Sequence, residues 1–210
     1  MLHFEKVQKA YGEKIILDIP SLRLDSGIYW LQGPNGSGKT TLLRILAGIL
    51  PFKGCIRLQG LSLLHDPVAY RRSVGWADAE PLYPDFLTGT DLLHFYRSIQ
   101  RPPAGQIDQL TDRFAVRPWV DTAAATWSSG MTKKISLLLA FIGQASLITL
   151  DEPLVTLDEH GVAALYALIR ERRERDGTCF LISSHQEIPV SPLPDIQKLH
   201  VFEKCIQLIT

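Results

Sequence analysis

Hydrophobic and polar positions alternate along the first thirty residues, with turn signals at Tyr11-Gly12 and Ser26-Gly27. A period of two with one wet face predicts antiparallel strands. The run Ile28-Tyr29-Trp30-Leu31-Gln32 is apolar almost throughout and predicts a buried strand, with a helix-like stretch at 39–49 after it. Pro51 and Gly54 break that pattern, and Cys55-Ile56-Arg57-Leu58 predicts another strand. From 81 to 127 the chain changes character. Pro81, Pro84, Pro102, Pro103 and Pro118 punctuate helical pieces at 91–99 and 106–114. The pattern predicts a helical lobe inserted between two halves of an α/β core. Residues 135–150 read as a buried helix followed by a buried strand. The apolar runs 147–150 and 179–183 flank a helix over 161–175, which predicts parallel strands covered on both faces. The segment 198–210 predicts a hairpin turning at Glu203-Lys204.

Composition narrows the class. With 210 residues, 46% of them hydrophobic, the chain can bury a sizeable core. Its 22 basic and 22 acidic residues cancel. A nucleic-acid binder ordinarily carries a basic excess or a basic face, so no nucleic-acid partner is expected. Cys55, Cys179 and Cys205 are too few and too scattered for a disulfide framework or a metal cluster, as suits a reduced, cytosolic chain. No basic, apolar and small-residue leader is expected at the start. The most membrane-like window, 135–150, is interrupted by Ser136, Gln144, Ser146 and Thr149. It also falls short of the ~20 residues that a bilayer helix needs.

The chemistry begins at Gly33-Pro34-Asn35-Gly36-Ser37-Gly38-Lys39-Thr40, which fits G-x-x-x-x-G-K-[ST] between a predicted strand and a predicted helix. Glycines let backbone N–H groups turn inward around an anion, and the helix N-terminus adds its dipole. The pattern assigns these residues, with Thr41, to a nucleoside triphosphate. Lys39 would reach the β- and γ-phosphates, and the Thr40 hydroxyl would ligate Mg²⁺. A second predicted strand ends in Asp151-Glu152. Alone, an acidic pair after a strand is more often a helix cap. Beside a phosphate loop, Asp151 suits Mg²⁺, a hard ion that keeps several waters. Glu152 could polarise an attacking water, a role that contributes ~10²–10⁴-fold.

Upstream lies Trp127-Ser128-Ser129-Gly130-Met131-Thr132-Lys133-Lys134; downstream lie Thr156-Leu157-Asp158 and Ser183-Ser184-His185. Together with Asp151-Glu152-Pro153, this order resembles the ATP-binding subunit of an ABC (ATP-binding cassette) transporter along essentially the whole chain. The family's L-S-G-G-Q signature stands here as Trp127 to Met131, a variant that keeps the serine and the second glycine. The resemblance implies an ABC-type P-loop NTPase cassette of the α/β class. It would have a mainly parallel core at 1–78 and 147–210, an antiparallel β subdomain and a helical lobe at 79–146, all in one domain.

The resemblance implies more about residues and partners. Glu152, His185 and Lys39 would be catalytic, and Tyr11 would stack on adenine, although a tyrosine before a turn is otherwise ordinary hairpin packing. Ser128, Ser129, Gly130 and Met131 would contact ATP held by a second subunit, with Asp158 lining the shared interface. ATP and Mg²⁺ would be the cofactors. Integral membrane permease subunits would dock on the lobe, where Tyr83, Phe86, Phe95, Tyr96 and Trp119 could line a groove, though aromatics at helical spacing are more often core. The chain would sit on the cytoplasmic face of the cell membrane through the permease. The glutamine expected after Ser73-Val74-Gly75-Trp76 is missing: its place falls at Ala79, and either Glu80 or water fills it. A soluble non-transport ABC ATPase and an ATP-dependent switch with weak hydrolysis are the alternatives. A small-molecule kinase would leave the 128–131 loop unexplained. The arginines at 170, 172, 173 and 175 are expected only to offset a helix dipole.

Overall fold

The computed structural model describes residues 1–185, 188 and 192–209. The early alternation becomes β1 (Leu2–Tyr11) and β2 (Lys14–Leu24), paired antiparallel across the turn at 12–13. Leu2, Phe4 and Val7 face inward with Leu17, Ile19 and Leu24. The shift from even to odd positions on β1 follows a bulge at Lys6, whose φ is 50°. The apolar run is β3 (Ile28–Gln32), and it feeds α1 (Lys39–Leu46). This helix stops short of the expected 49 because Gly48 turns left-handed while its N–H bonds back to Ile45. Next come β4 (Lys53–Leu58), β5 (Leu61–Ser62), α2 (Pro67–Arg72) and β6 (Val74–Ala77).

The Pro-punctuated stretch supplies α3 (Gly89–Gln100), α4 (Gln106–Arg113) and one 3-10 turn at Ala124–Thr126. A capping box of Thr88 and Asp91 opens α3. The buried helix is α5 (Ser129–Phe141), which starts six residues before the apolar window because Ser128 caps it. Then follow β7 (Leu147–Asp151), α6 (Glu159–Asp176), β8 (Cys179–Ser183), β9 (Ile196–Phe202) and β10 (Cys205–Ile209). The last two form the expected hairpin, turning on Glu203 and Lys204, both at positive φ; Thr210 lies outside the described residues.

Two sheets result. The antiparallel one runs β2-β1-β4-β5, and the six-stranded one runs β10-β9-β3-β8-β7-β6, parallel except for β10. Each central strand sends alternate residues to opposite faces. Tyr29, Leu31, Leu147 and Leu181 join α1 and the inner row of the antiparallel sheet in one core. Ile28, Trp30, Ile148, Leu150, Phe180 and Ile182 join α3 to α6 in the other. The inserted helices therefore share a core with the parallel sheet. Arg172 and Arg173 differ from expectation. Arg172 is 3% exposed and donates to Gly143 O, and Arg173 donates to Ser26, so both tie α6 to neighbouring loops besides offsetting its dipole. No helix among the described residues is long and apolar enough to cross a membrane.

Candidate active site

The phosphate loop sits where β3 ends and α1 begins. Gly38 occupies the N-cap position at φ 107°, a conformation closed to residues with a Cβ except at a cost, and no side chain caps the helix. The first N–H groups of α1 are thus left for an anion. Lys39 is buried, and its Nζ donates to Gly33 O at 2.7 Å and Pro34 O at 3.2 Å. Burial pushes its pKa down, while Glu152 and Asp151 pull it back up. The ammonium is parked on the loop's own carbonyls, from which a phosphate could draw it.

The neighbouring strands β7 and β8 bring Asp151 level with Ser183. Asp151 is 1% exposed; the Ser183 hydroxyl donates to its Oδ1, while its buried Oδ2 has no hydrogen-bond partner. Such an orphaned carboxylate oxygen suits a cation or its water shell. Glu152 follows at φ 45°, with its N–H on Ser183 O (3.2 Å) and Oγ (3.1 Å). Its Oε2 accepts the His185 N–H at 3.2 Å, and its Oε1 lies 3.5 Å from His185 Nε2. Among the described residues no cluster of three or more His, Cys, Asp or Glu could cage a metal alone. The Thr40 hydroxyl and Asp151 fit Mg²⁺, which takes few protein ligands and fills its octahedron with phosphate and water.

One cavity of about 390 Å³ brings together Tyr11, Asn35, Gly36, Ser37, Gly38, Lys39, Thr40, Thr41, Asp151, Glu152 and His185. Lys14 and Ile16 of β2 join them, two residues the sequence reading missed. Pro34 lines an adjoining recess, and Gly33 is packed where a Cβ would lie 2.4 Å from Val201 O. Tyr11 is half exposed, with the Lys9 ammonium 4.7 Å from its ring centroid.

Ser128, Ser129, Gly130 and Met131 do not line this cavity. Ser128 Oγ accepts the Met131 N–H at 3.2 Å, capping α5. Gly130 faces the loop before α6 so closely that a Cβ would stand 2.9 Å from Thr156 O. In that loop Asp158 caps α6 through the Gly161 N–H at 2.7 Å and holds Lys134 Nζ at 2.7 Å. Glu80 also stands outside the cavity, and Arg44 holds Asp78. The Ala79 carbonyl accepts from Lys133, a buried residue the sequence reading passed over. Its signal was available: Lys133, Ser136, Leu137 and Ala140 recur at helical spacing on the buried face of α5. Of the five lobe aromatics, Phe95 and Tyr96 line an open groove; Tyr83, Tyr96 and Trp119 pack on the core, and Phe86 is exposed.

A strand–loop–helix phosphate cradle after β3, facing carboxylates at the end of the parallel strand β7, defines a P-loop NTPase. The family model described as ABC transporter matches residues 17–155, more than half of the chain, and the chain belongs to that family. As a member of it, the protein is an ATP-binding cassette ATPase. It is 31% identical over 207 residues to the cytochrome c biogenesis ATP-binding export protein CcmA of Legionella pneumophila, covering 96% of this chain and 100% of that one. It is 32% identical over 200 residues to the uncharacterized ABC transporter ATP-binding protein YdbJ of Bacillus subtilis, covering 93% of this chain and 64% of that one. A solved ATP-binding subunit of an ABC transporter superposes with TM-score 0.88 at 22% identity, over 100% of this chain and 90% of that chain. An ATP-binding cassette solved as a dimer in a post-hydrolysis state with ADP and Pi gives TM-score 0.82 at 17% identity, over 99% and 97%. These two likenesses establish the fold, an ABC cassette.

Proposed function

We propose that this chain is the ATP-hydrolysing subunit of a transporter whose membrane-spanning permease chains are separate, and that two such subunits close head to tail around ATP. The observation that carries the reading is the composition of the cavity. It unites Lys39, Thr40, Asp151, Glu152 and His185 and leaves Ser128 to Met131 outside. A signature loop placed away from its own phosphate pocket is free to serve the pocket of a second copy, with Asp158 at the shared interface.

In this reading the amides of Asn35 to Lys39 and the Lys39 ammonium hold the β- and γ-phosphates, Gly33, Pro34 and Thr41 shape the loop, and Tyr11 stacks on adenine. Thr40 and Asp151 would hold Mg²⁺, which spreads the charge that develops on the phosphate oxygens. Glu152 would orient a water against the γ-phosphorus and take its proton as ADP leaves, and His185, beside the Glu152 carboxylate, would contact the γ-phosphate. The permease would dock in the groove of about 440 Å³ between the lobe, 79–146, and the core. Val68, Trp76, Phe95, Tyr96, Ile99 and Leu139 line it, with Phe95 58% exposed. Docking there would hold the subunit on the cytoplasmic face of the membrane. The Legionella relative is named as an export protein, which makes export the direction to test first.

The test is Glu152→Gln. It is expected to bind ATP with Mg²⁺ and to accumulate as a nucleotide-dependent dimer, while phosphate release falls by ~10²-fold or more. Turnover near the wild-type rate would remove Glu152 from the base role. The variant signature and Ala79 favour one alternative, a binding switch with weak hydrolysis. Phosphate release that stays negligible both alone and with membranes from cells that express the permease would establish that alternative.

A further inference from the structure

We propose that Lys133 is a positioning residue for hydrolysis: its buried ammonium fixes the main chain at Glu152 and at the loop after β6 as one unit with α5. The side chain is 2% exposed. Its Nζ donates to Ala79 O at 2.6 Å, Asp78 O at 2.9 Å and Glu152 O at 3.3 Å. An ammonium has three protons, and here three carbonyls receive them. Burying such a charge is costly unless every donor is matched, and an apolar side chain of similar length would fill the same space without that cost. Packing therefore does not account for a lysine on the buried face of α5.

The three carbonyls account for it. Two belong to the residues just after β6 and one to the residue just after β7, so one side chain ties α5 to the ends of both strands. Glu152 needs the tie more than most residues, because its φ of 45° is sparsely populated for a residue with a Cβ. Ser183 holds the Glu152 N–H, and Lys133 holds its carbonyl, so the two peptide groups flanking the Glu152 Cα are both fixed. Position 79 carries no glutamine side chain, and the main chain of Ala79 takes the lysine instead. Lys133 also lies two residues beyond Met131, while Leu139 of the same helix and Ile142 at its C-cap line the groove. A displacement of α5 would thus reach the Glu152 peptide through one ammonium group.

The inference rests on the hydrolytic role proposed above. Lys133→Met and Lys133→Gln in the full chain, with wild type alongside, would be assayed for kcat, KM for ATP, affinity for a fluorescent ATP analogue and melting temperature. Lys133→Met is expected to lower kcat by about 10- to 100-fold, since a displacement near 1 Å has that effect on a reacting group. KM and nucleotide affinity should stay within about twofold, because the Lys39 loop is untouched. Lys133→Gln, which keeps two donors, should fall between, and it decides the matter should the methionine variant fail to fold. If kcat stays within about twofold in the folded variants, or kcat, KM and nucleotide affinity worsen together in step with melting temperature, the proposal is overturned. A wild-type chain without ATPase activity would overturn the hydrolytic reading and this one with it. An active wild type with unaffected variants overturns only this one.

Discussion

Ser183→Ala removes a single hydroxyl that serves both carboxylates. In the native fold it donates to Asp151 Oδ1 and accepts the Glu152 N–H at 3.1 Å. Asp151 is 1% exposed and its Oδ2 already lacks a hydrogen-bond partner, so bulk water is poorly placed to compensate. The lost bond is charge-assisted and contributes about 1.5–3 kcal/mol. The Glu152 N–H adds little to the loss, because it keeps Ser183 O at 3.2 Å. For a chain of this size each kcal/mol moves Tm by ~2–4 °C, so the variant should melt about 3–12 °C lower. Thermal melts at neutral pH without nucleotide measure this directly. The double variant with Asp151→Asn isolates the cause. Against a neutral amide the serine should be worth only about 0.5–1.5 kcal/mol, so the two substitutions must be non-additive. A Tm within about 1 °C of wild type would refute the reasoning, because a 1.5 kcal/mol bond cannot vanish without a larger shift. Additive effects in the cycle would refute it too.

Gly75→Ala would place a methyl 2.1 Å from Ala140 O, where β6 meets α5. Backbone must move, so the urea midpoint should fall by the equivalent of about 1–3 kcal/mol or more, and an unchanged midpoint would contradict the packing. For Asp158, the Lys134 hydrogen bond and then the Gly161 N–H hold the carboxyl below its usual range. A carboxyl lowered on folding adds stability above its unfolded pKa, near ~3.9, and loses it as pH falls through the folded value. Urea midpoints followed from about pH 6 to about pH 2.5 should therefore fall more steeply for wild type than for Asp158→Asn, and parallel curves would rule out that contribution.

What could be read from the sequence was local. The β3–loop–α1 unit, the Asp151-Glu152 strand end and the hairpin turn at Glu203-Lys204 each depend on a period or a turn within about a dozen residues. The helix boundaries that slipped did so at caps. Ser128 carried α5 upstream of its apolar window, and Gly48 ended α1 early. What stayed hidden depends on strand order. Ser183 reads as the end of an apolar run, and nothing near it in the chain says that Asp151 stands level with it on β7. Lys14 and Ile16 enter the cavity because the antiparallel sheet lies beside α1, and Lys133 meets carbonyls 19 and 54–55 residues away. Ser183, Lys14 and Lys133 were visible as polar residues, and what they meet was not.

Lys133, which stayed hidden, also bears on why the pocket would need a second subunit. Lys39 and Lys133 face Asp151 and Glu152, two ammonium groups against two carboxylates, and each lysine feels both acids. Asp78 and Glu80 act on Lys133 as well, so without nucleotide these ammonium groups already face at least as many carboxylates. A magnesium–nucleotide complex brings net negative charge into that balance, and Lys133 cannot turn to meet it because all three of its protons are engaged. Lys39 can turn, at the cost of its bonds to Gly33 and Pro34. Further compensation can come from Lys14, which lines the same cavity, and from amide dipoles, first those at the start of α1. Amides of another helix start, that of α5, lie outside their own cavity, with the Met131 N–H held by Ser128 Oγ. In the head-to-tail arrangement proposed above, these amides would meet the triphosphate of the partner subunit. Hydrolysis and loss of the γ-phosphate would remove the charge that holds the two surfaces together.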